Sequence, residues 1–202
     1  MTYPPAPPWE GPGNPFQRWV STAAALLFRP EASYAAMTPG PAGPSLAYAA
    51  LGLAVGQLVG GVPMLLMAIL SGMVSGAGDA GMLAPLGIWL FGGIVAIVTT
   101  MGVLTVLTHG LVVITGGAAG GFSQTLRAIA YGYGSAAPGL LLPYCGWFLF
   151  AVGGTVSAAF GLAALHRIGL ARAVVALLVP TFVSAGIVVG LLAAALAQTS
   201  FH

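Results

Sequence analysis

Residues 123–142 read SQTLRAIAYGYGSAAPGLLL, and the way this stretch sits decides how many times the chain crosses a membrane. Its first half is amphipathic: Phe122, Leu126, Ile129 and Tyr133 share one helical face and leave Gln124 and Arg127 on another. Its second half is apolar, with Pro138 and then Pro143 to bend or end it. As a span it makes the fifth; laid along the interface it leaves four. The charges decide between the two. Basic residues near span ends favour the cytoplasmic side, and the chain has five arginines (Arg18, Arg29, Arg127, Arg167 and Arg172) and no lysine. Five spans with the N-terminus inside place all five in the cytoplasm and Asp79 outside. Four spans would move Arg167 and Arg172 out. An arginine at mid-bilayer costs roughly 2.5–3.5 kcal/mol, but Arg127 lies in the first turns of its helix and can snorkel to the headgroups. Five spans are expected.

Working outward, the first span is expected over 45–71, the second over 86–111, the fourth over 145–165 and the fifth over 171–196. The linker near 72–82 is rich in Gly and Ser, and the GGAAGG run after Thr115 makes a tight turn. Residues 1–13, MTYPPAPPWEGPG, have no helical period and read as an extended, mobile cytosolic tail. Residues 14–38 form an interfacial region. Asn14 caps a helix, Pro15 suits its first position, and Gln17 stands three residues after the cap. Phe16, Trp19, Val20, Ala23, Leu26 and Leu27 then share a face that excludes Gln17, Arg18, Ser21 and Thr22. About fourteen residues cannot cross a bilayer, so this helix is expected flat on the surface, anchored by Phe16, Arg18, Trp19 and Arg29. Pro30 ends it, and a short helical turn follows over 31–37. Residues 39–202 are the membrane domain.

Composition fits an all-α polytopic integral membrane protein. The chain is 58% hydrophobic and 4% charged, where a soluble domain carries roughly 25% charged residues. A net charge of +2 from scattered arginines is no nucleic-acid footprint. The single Cys145 excludes an internal disulfide and a multi-cysteine metal site.

Little in the sequence points to catalysis. His109 and His166 have no carboxylate or cysteine at metal-ligand spacing and fall near the cytoplasmic ends of spans, where imidazoles meet water. No acid follows Asp79, so a relay through buried carboxylates has no members. No serine sits in a nucleophile elbow, and the glycine turn lacks the lysine and hydroxyl of a phosphate cradle. No enzyme activity, cofactor or metal is expected. Glycine spacing is more informative. Gly52, Gly56 and Gly60 form one ridge on the first span, and Gly153, Gly154, Ser157 and Gly161 a less regular small-residue face on the fourth. In lipid, such faces let helices approach closely, within the chain or between subunits.

The C-terminal half resembles the Yip1 domain family of five-span membrane proteins. The residues that carry the resemblance are Phe122 to Pro143, with Gly132, Tyr133, Pro138 and Pro143, and Ala164 to Pro180, with His166, Arg167, Ala173 and Pro180. The resemblance implies a cytosolic N-terminus, five spans and no known catalysis. Eukaryotic members bind Rab-type GTPases and carry an acidic element before the first span. Here that region reads PEASYAAM, so Rab binding is not expected. The expected role is that of a membrane-organising scaffold or accessory subunit in a prokaryotic inner membrane, whose partners are lipids, other subunits or its own copies. The alternative is a permease for a lipid or small apolar solute, with a cavity near the break at 132–143.

Overall fold

The computed structural model describes residues 7–75, 93–117, 119–142 and 145–199. Seven α-helices lie among them: α1 Pro15–Phe28, α2 Pro30–Ala35, α3 Gly43–Ser75, α4 Gly93–Ile114, α5 Gly121–Ala136, α6 Gly146–His166 and α7 Leu170–Thr199. Short 3-10 turns stand at Pro8–Glu10 and Ala137–Leu141. The described residues form no strand. Asp79, most of the 72–82 linker, the start of the expected second span, Pro143 and Tyr144 lie outside the described residues.

Among the described residues two helical stretches, Gly43–Pro63 and Gly146–His166, have the length and composition to cross a membrane; Val98–Ile114 and Leu170–Ser184 are apolar but shorter. The expected third span is built differently from the others. It is a helix of 16 residues, about 24 Å long at 1.5 Å per residue, continued by the Ala137–Leu141 turn where Pro138 interrupts it. Every residue from Gln124 to Ala136 except Leu126 is buried. This helix is the centre of the bundle, packed chiefly on α6 and α3.

That placement overturns part of the amphipathic reading of α5: Ile129 and Tyr133 are buried as expected, but the other four residues are not placed as that reading has them. Phe122 is exposed and Leu126 half-buried, whereas Gln124 and Arg127 point inward. Arg127 is 1% exposed and does not snorkel. Polar side chains are buried, and apolar ones exposed, elsewhere in the bundle as well. Buried positions include Thr105, Thr108, Thr125, Ser135, Ser157 and His166, while Val98, Val106, Phe148, Val156, Val175 and Phe182 are exposed. Thr125, Ser135, Ser157 and His166 find hydrogen-bond partners on neighbouring elements, whereas the buried Thr108 hydroxyl has none among the described residues.

At the N-terminus, Asn14 Oδ1 accepts from the amides of Phe16 (2.9 Å) and Gln17 (3.4 Å), with Pro15 at the first helical position. The face of α1 is rotated from the one expected: Trp19, Thr22, Ala23 and Leu26 are buried, and Phe16 and Val20 are exposed. Thr22 turns inward because its hydroxyl accepts the amide of Trp9 (2.8 Å). Trp19 is 4% exposed and packs against protein. Residues 7–13, expected as part of a mobile tail, fold back on the bundle instead. The Trp9 indole donates to the Pro44 carbonyl (2.7 Å) and meets Tyr48 edge-on at 5.6 Å.

Candidate functional site at the arginine-bearing end of the bundle

The polar side chains of greatest chemical interest gather at one end, where α3, α5 and α7 begin and α4 and α6 finish. Two clusters share the first turns of α5.

The first surrounds Arg127. Its Nη2 donates to Glu10 Oε1 at 2.7 Å, and its Nη1 donates to the Thr38 carbonyl (2.7 Å) and to Gln124 Oε1 (3.3 Å). The same Glu10 oxygen accepts the Tyr131 hydroxyl at 2.6 Å. Gln124 Nε2 in turn donates to the Gly40 carbonyl (3.0 Å). A charge in this setting is tolerated only if paired and hydrogen-bonded, and Glu10, with 22% of its side chain exposed, closes the site from the solvent side. The carboxylate is held in place by its neighbour. Arg18 Nη1 donates to the carbonyls of Trp9 (3.0 Å) and Gly11, and its guanidinium lies 5.3 Å from the centre of the Trp9 ring. Arg18, expected as a lipid anchor, therefore latches the N-terminal segment.

The second cluster joins three helices through one hydroxyl. Thr125 Oγ1 on α5 lies 2.9 Å from His109 Nδ1 on α4 and 2.9 Å from His166 Nε2 at the end of α6. The Gly120 amide donates to His166 Nδ1 at 3.3 Å. That backbone donor assigns the tautomer: Nδ1 of His166 accepts, so its proton is on Nε2 and points at Thr125. The Thr125 hydroxyl is then free to donate to His109 Nδ1. His109 also meets the Phe122 ring edge-on at 5.3 Å. His166, expected near water, is buried. No group of three His, Cys, Asp or Glu residues is placed to hold a metal among the described residues.

Behind these clusters the glycines lie at close backbone approaches. A Cβ at Gly52 would meet the Gly134 carbonyl oxygen at 2.8 Å and the Trp19 indole nitrogen at 2.9 Å; at Gly56, the Ala137 carbonyl oxygen at 2.9 Å; at Gly60, the Leu140 carbonyl oxygen. The ridge on α3 thus runs along α5 and the turn that continues it. On α6, Gly154 faces the Tyr133 ring and Gly161 the Tyr34 ring, whereas Gly153 has ordinary clearance, with Ala136 Cβ 3.5 Å away. At Gly132 the backbones of α5 and α6 come close, with Ala158 N at 2.6 Å and Ala158 Cα at 2.8 Å from its would-be Cβ.

Other expected residues are dispersed. Tyr133 is buried and bonded to Thr155 (3.0 Å). Pro138 opens the 3-10 turn, and Pro180 lies buried inside α7. Arg167 ends α6 in the left-handed region (φ 55°) and is exposed, as are Arg29 at the α1–α2 junction and Phe16, at 60%.

Sequence reasoning missed Glu10, Thr125 and Tyr131. For Glu10 a signal existed: a helix-borne arginine inside a bundle needs an acid, and the chain offers only Glu10, Glu31 and Asp79. For Thr125 none did, since its partners are 16 and 41 residues away. Comparison of this chain with protein-family models, with curated proteins and with solved structures finds no match.

Proposed function

We propose that this chain is a non-enzymatic integral membrane protein of Yip1-like type, a membrane-organising scaffold or an accessory subunit of a larger membrane assembly. In this reading it crosses a bilayer five times, with its N-terminus in the cytoplasm and its C-terminus outside, in a prokaryotic inner membrane. The observation that carries the reading is the pairing of a buried polar set with an apolar exterior: Thr125, Arg127, Ser135, Ser157 and His166 are buried and hydrogen-bonded, while the long helices turn many valines, leucines and phenylalanines outward. Such faces need lipid or other apolar helices as their surroundings.

The break at 132–142 favours this over a permease. A carrier would need space there. Instead Gly132 meets the Ala158 backbone, and the would-be Cβ of Gly139 is 3.1 Å from the Phe150 amide nitrogen, so the described part of the break is filled by α6. Rab-type recognition is not part of the proposal. The stretch before the first span forms α2, and its Tyr34 is buried and bonded to Ser157 (3.3 Å), with burial holding the phenol well above its ordinary pKa.

The test has two arms. The chain should resist alkaline extraction from membranes and retain stoichiometric membrane partners, or its own copies, in mild detergent. A monomer without partners that carries a lipid or solute across vesicle walls would overturn the scaffold reading in favour of the permease. For topology, exposed Cys145 should react with a membrane-impermeant maleimide from outside intact cells. Reaction only after the inner face is opened would exclude the five-span orientation.

A further inference from the structure

A groove of about 350 Å3 runs between the end of α4 and the first turns of α7. Leu111, Val175, Ala176 and Val179 wall it, and Thr115 and Arg172 also line it. Arg172 is exposed and makes no ion pair or hydrogen bond among the described residues. No acid accompanies it in the first turn of α7, and a cation at that end of a helix is opposed by the helix dipole. Arg167 adds a second exposed positive charge on the same α6–α7 connection.

We infer that this groove is a binding site for an anionic phospholipid, with an acyl chain against Val175 and Val179 and the phosphate at Arg172. The inference rests on the membrane reading above. Three features select this occupant. The exposed, unpaired guanidinium of Arg172 beside the groove calls for an anion, and a zwitterionic lipid already balances its own phosphate. The apolar walls gain nothing from inorganic phosphate but do gain from a hydrocarbon chain. A peptide would bring backbone amides and carbonyls that need partners. The Thr115 hydroxyl cannot supply them as a donor, because it already donates to the Leu111 and Val112 carbonyls (2.9 and 3.2 Å).

The experiment is native mass spectrometry of the full chain in mild detergent, titrated separately with phosphatidylglycerol and phosphatidylcholine. Phosphatidylglycerol should bind at one saturable site and phosphatidylcholine much more weakly. One basic residue contributes about 1 kcal/mol at an anionic lipid surface, so Arg172→Gln should weaken binding roughly fivefold, and Arg172→Lys should restore most of it. Val175→Trp, which fills the groove without touching the charge, should also weaken binding; Phe182→Trp, further along the exposed surface of α7, should not. Equal binding of the two lipids, or of the wild type, Arg172→Gln and Val175→Trp, by a chain that still resists alkaline extraction would overturn this site alone. Release of the chain by alkali would overturn the membrane reading and the site together.

Discussion

Glu10 Oε1 and Arg127 Nη2 lie 2.7 Å apart although 117 residues separate them. The contact ties the segment before the first helix to the most buried helix of the bundle. Its energetics are those of a buried cation with a partly exposed acid. Pairing offsets desolvation without leaving a large surplus, but loss of one partner strands the other.

Glu10→Ala should therefore cost about 2–3 kcal/mol, less than the roughly 3–5 kcal/mol of a fully buried pair, because Glu10 is partly screened by solvent. The double variant Glu10→Leu, Arg127→Met should lose less than the sum of the two single changes. Thermal melting in one detergent, arranged as a double-mutant cycle, measures this. Strict additivity would mean that the pair is not energetically coupled.

The two small-residue faces make a sharper contrast. Gly132→Ala drives a methyl into the Ala158 backbone and should destabilise by about 1–3 kcal/mol, the usual range of overpacking. Gly153→Ala has ordinary clearance and should be neutral or stabilising, since alanine is favoured over glycine in a helix by about 1 kcal/mol. On α3, Gly56→Leu should lower the melting temperature more than Ala54→Leu, because Gly56 faces the Ala137 carbonyl and Ala54 is exposed. Equal melting temperatures within either pair would show that these contacts do not govern packing.

Tryptophan emission separates protein burial from lipid burial. With Trp9 and Trp89 replaced by Phe, variants retaining only Trp19 or only Trp147 can be placed in vesicles carrying quenchers at defined acyl depths. Trp147 is 55% exposed on α6 and Trp19 is 4% exposed. Trp147 should be quenched by the lipid-borne groups, and Trp19 should show blue-shifted emission with little quenching at any depth. Strong quenching of Trp19 would place α1 in the bilayer interface.

Thr125→Val keeps the shape of the side chain and removes the hydroxyl that both imidazoles use. Leaving buried nitrogens unpaired should cost about 1–3 kcal/mol, whereas Thr125→Ser should cost less. Nitrogen chemical shifts give a second readout. His166 should be the tautomer protonated on Nε2, and in Thr125→Val the His109 and His166 signals should both move. A His166 protonated on Nδ1 would contradict the acceptor role that the Gly120 amide assigns to it.

Local features were legible in the residues themselves. Asn14 and Pro15 start α1 and Pro30 separates it from α2, because capping, a fixed φ and a missing amide act within a turn. The apolar runs expected at 145–165 and 171–196 correspond to α6 Gly146–His166 and α7 Leu170–Thr199, since unbroken apolar sequence of that length favours helix whatever it packs on. The four-residue glycine spacing on α3 marks a surface of close approach for the same reason: it is a property of one helix. Only the tertiary structure decided which faces point inward. Hydrophobic periodicity placed Arg127 and Gln124 outward and, on α1, Phe16 and Val20 inward and Thr22 outward, although it put Trp19, Ala23 and Leu26 on the buried face where the structure has them. In this bundle Arg127, Gln124, Thr125 and His166 are buried beside Leu26, Leu104, Ile129, Phe150 and Leu162 while many valines and phenylalanines face outward, so an apolar stripe alone does not give the direction of a face. The pairings Glu10–Arg127 and His109–Thr125–His166 were equally beyond the sequence, because each depends on where separate helices end in space and no local spacing encodes that.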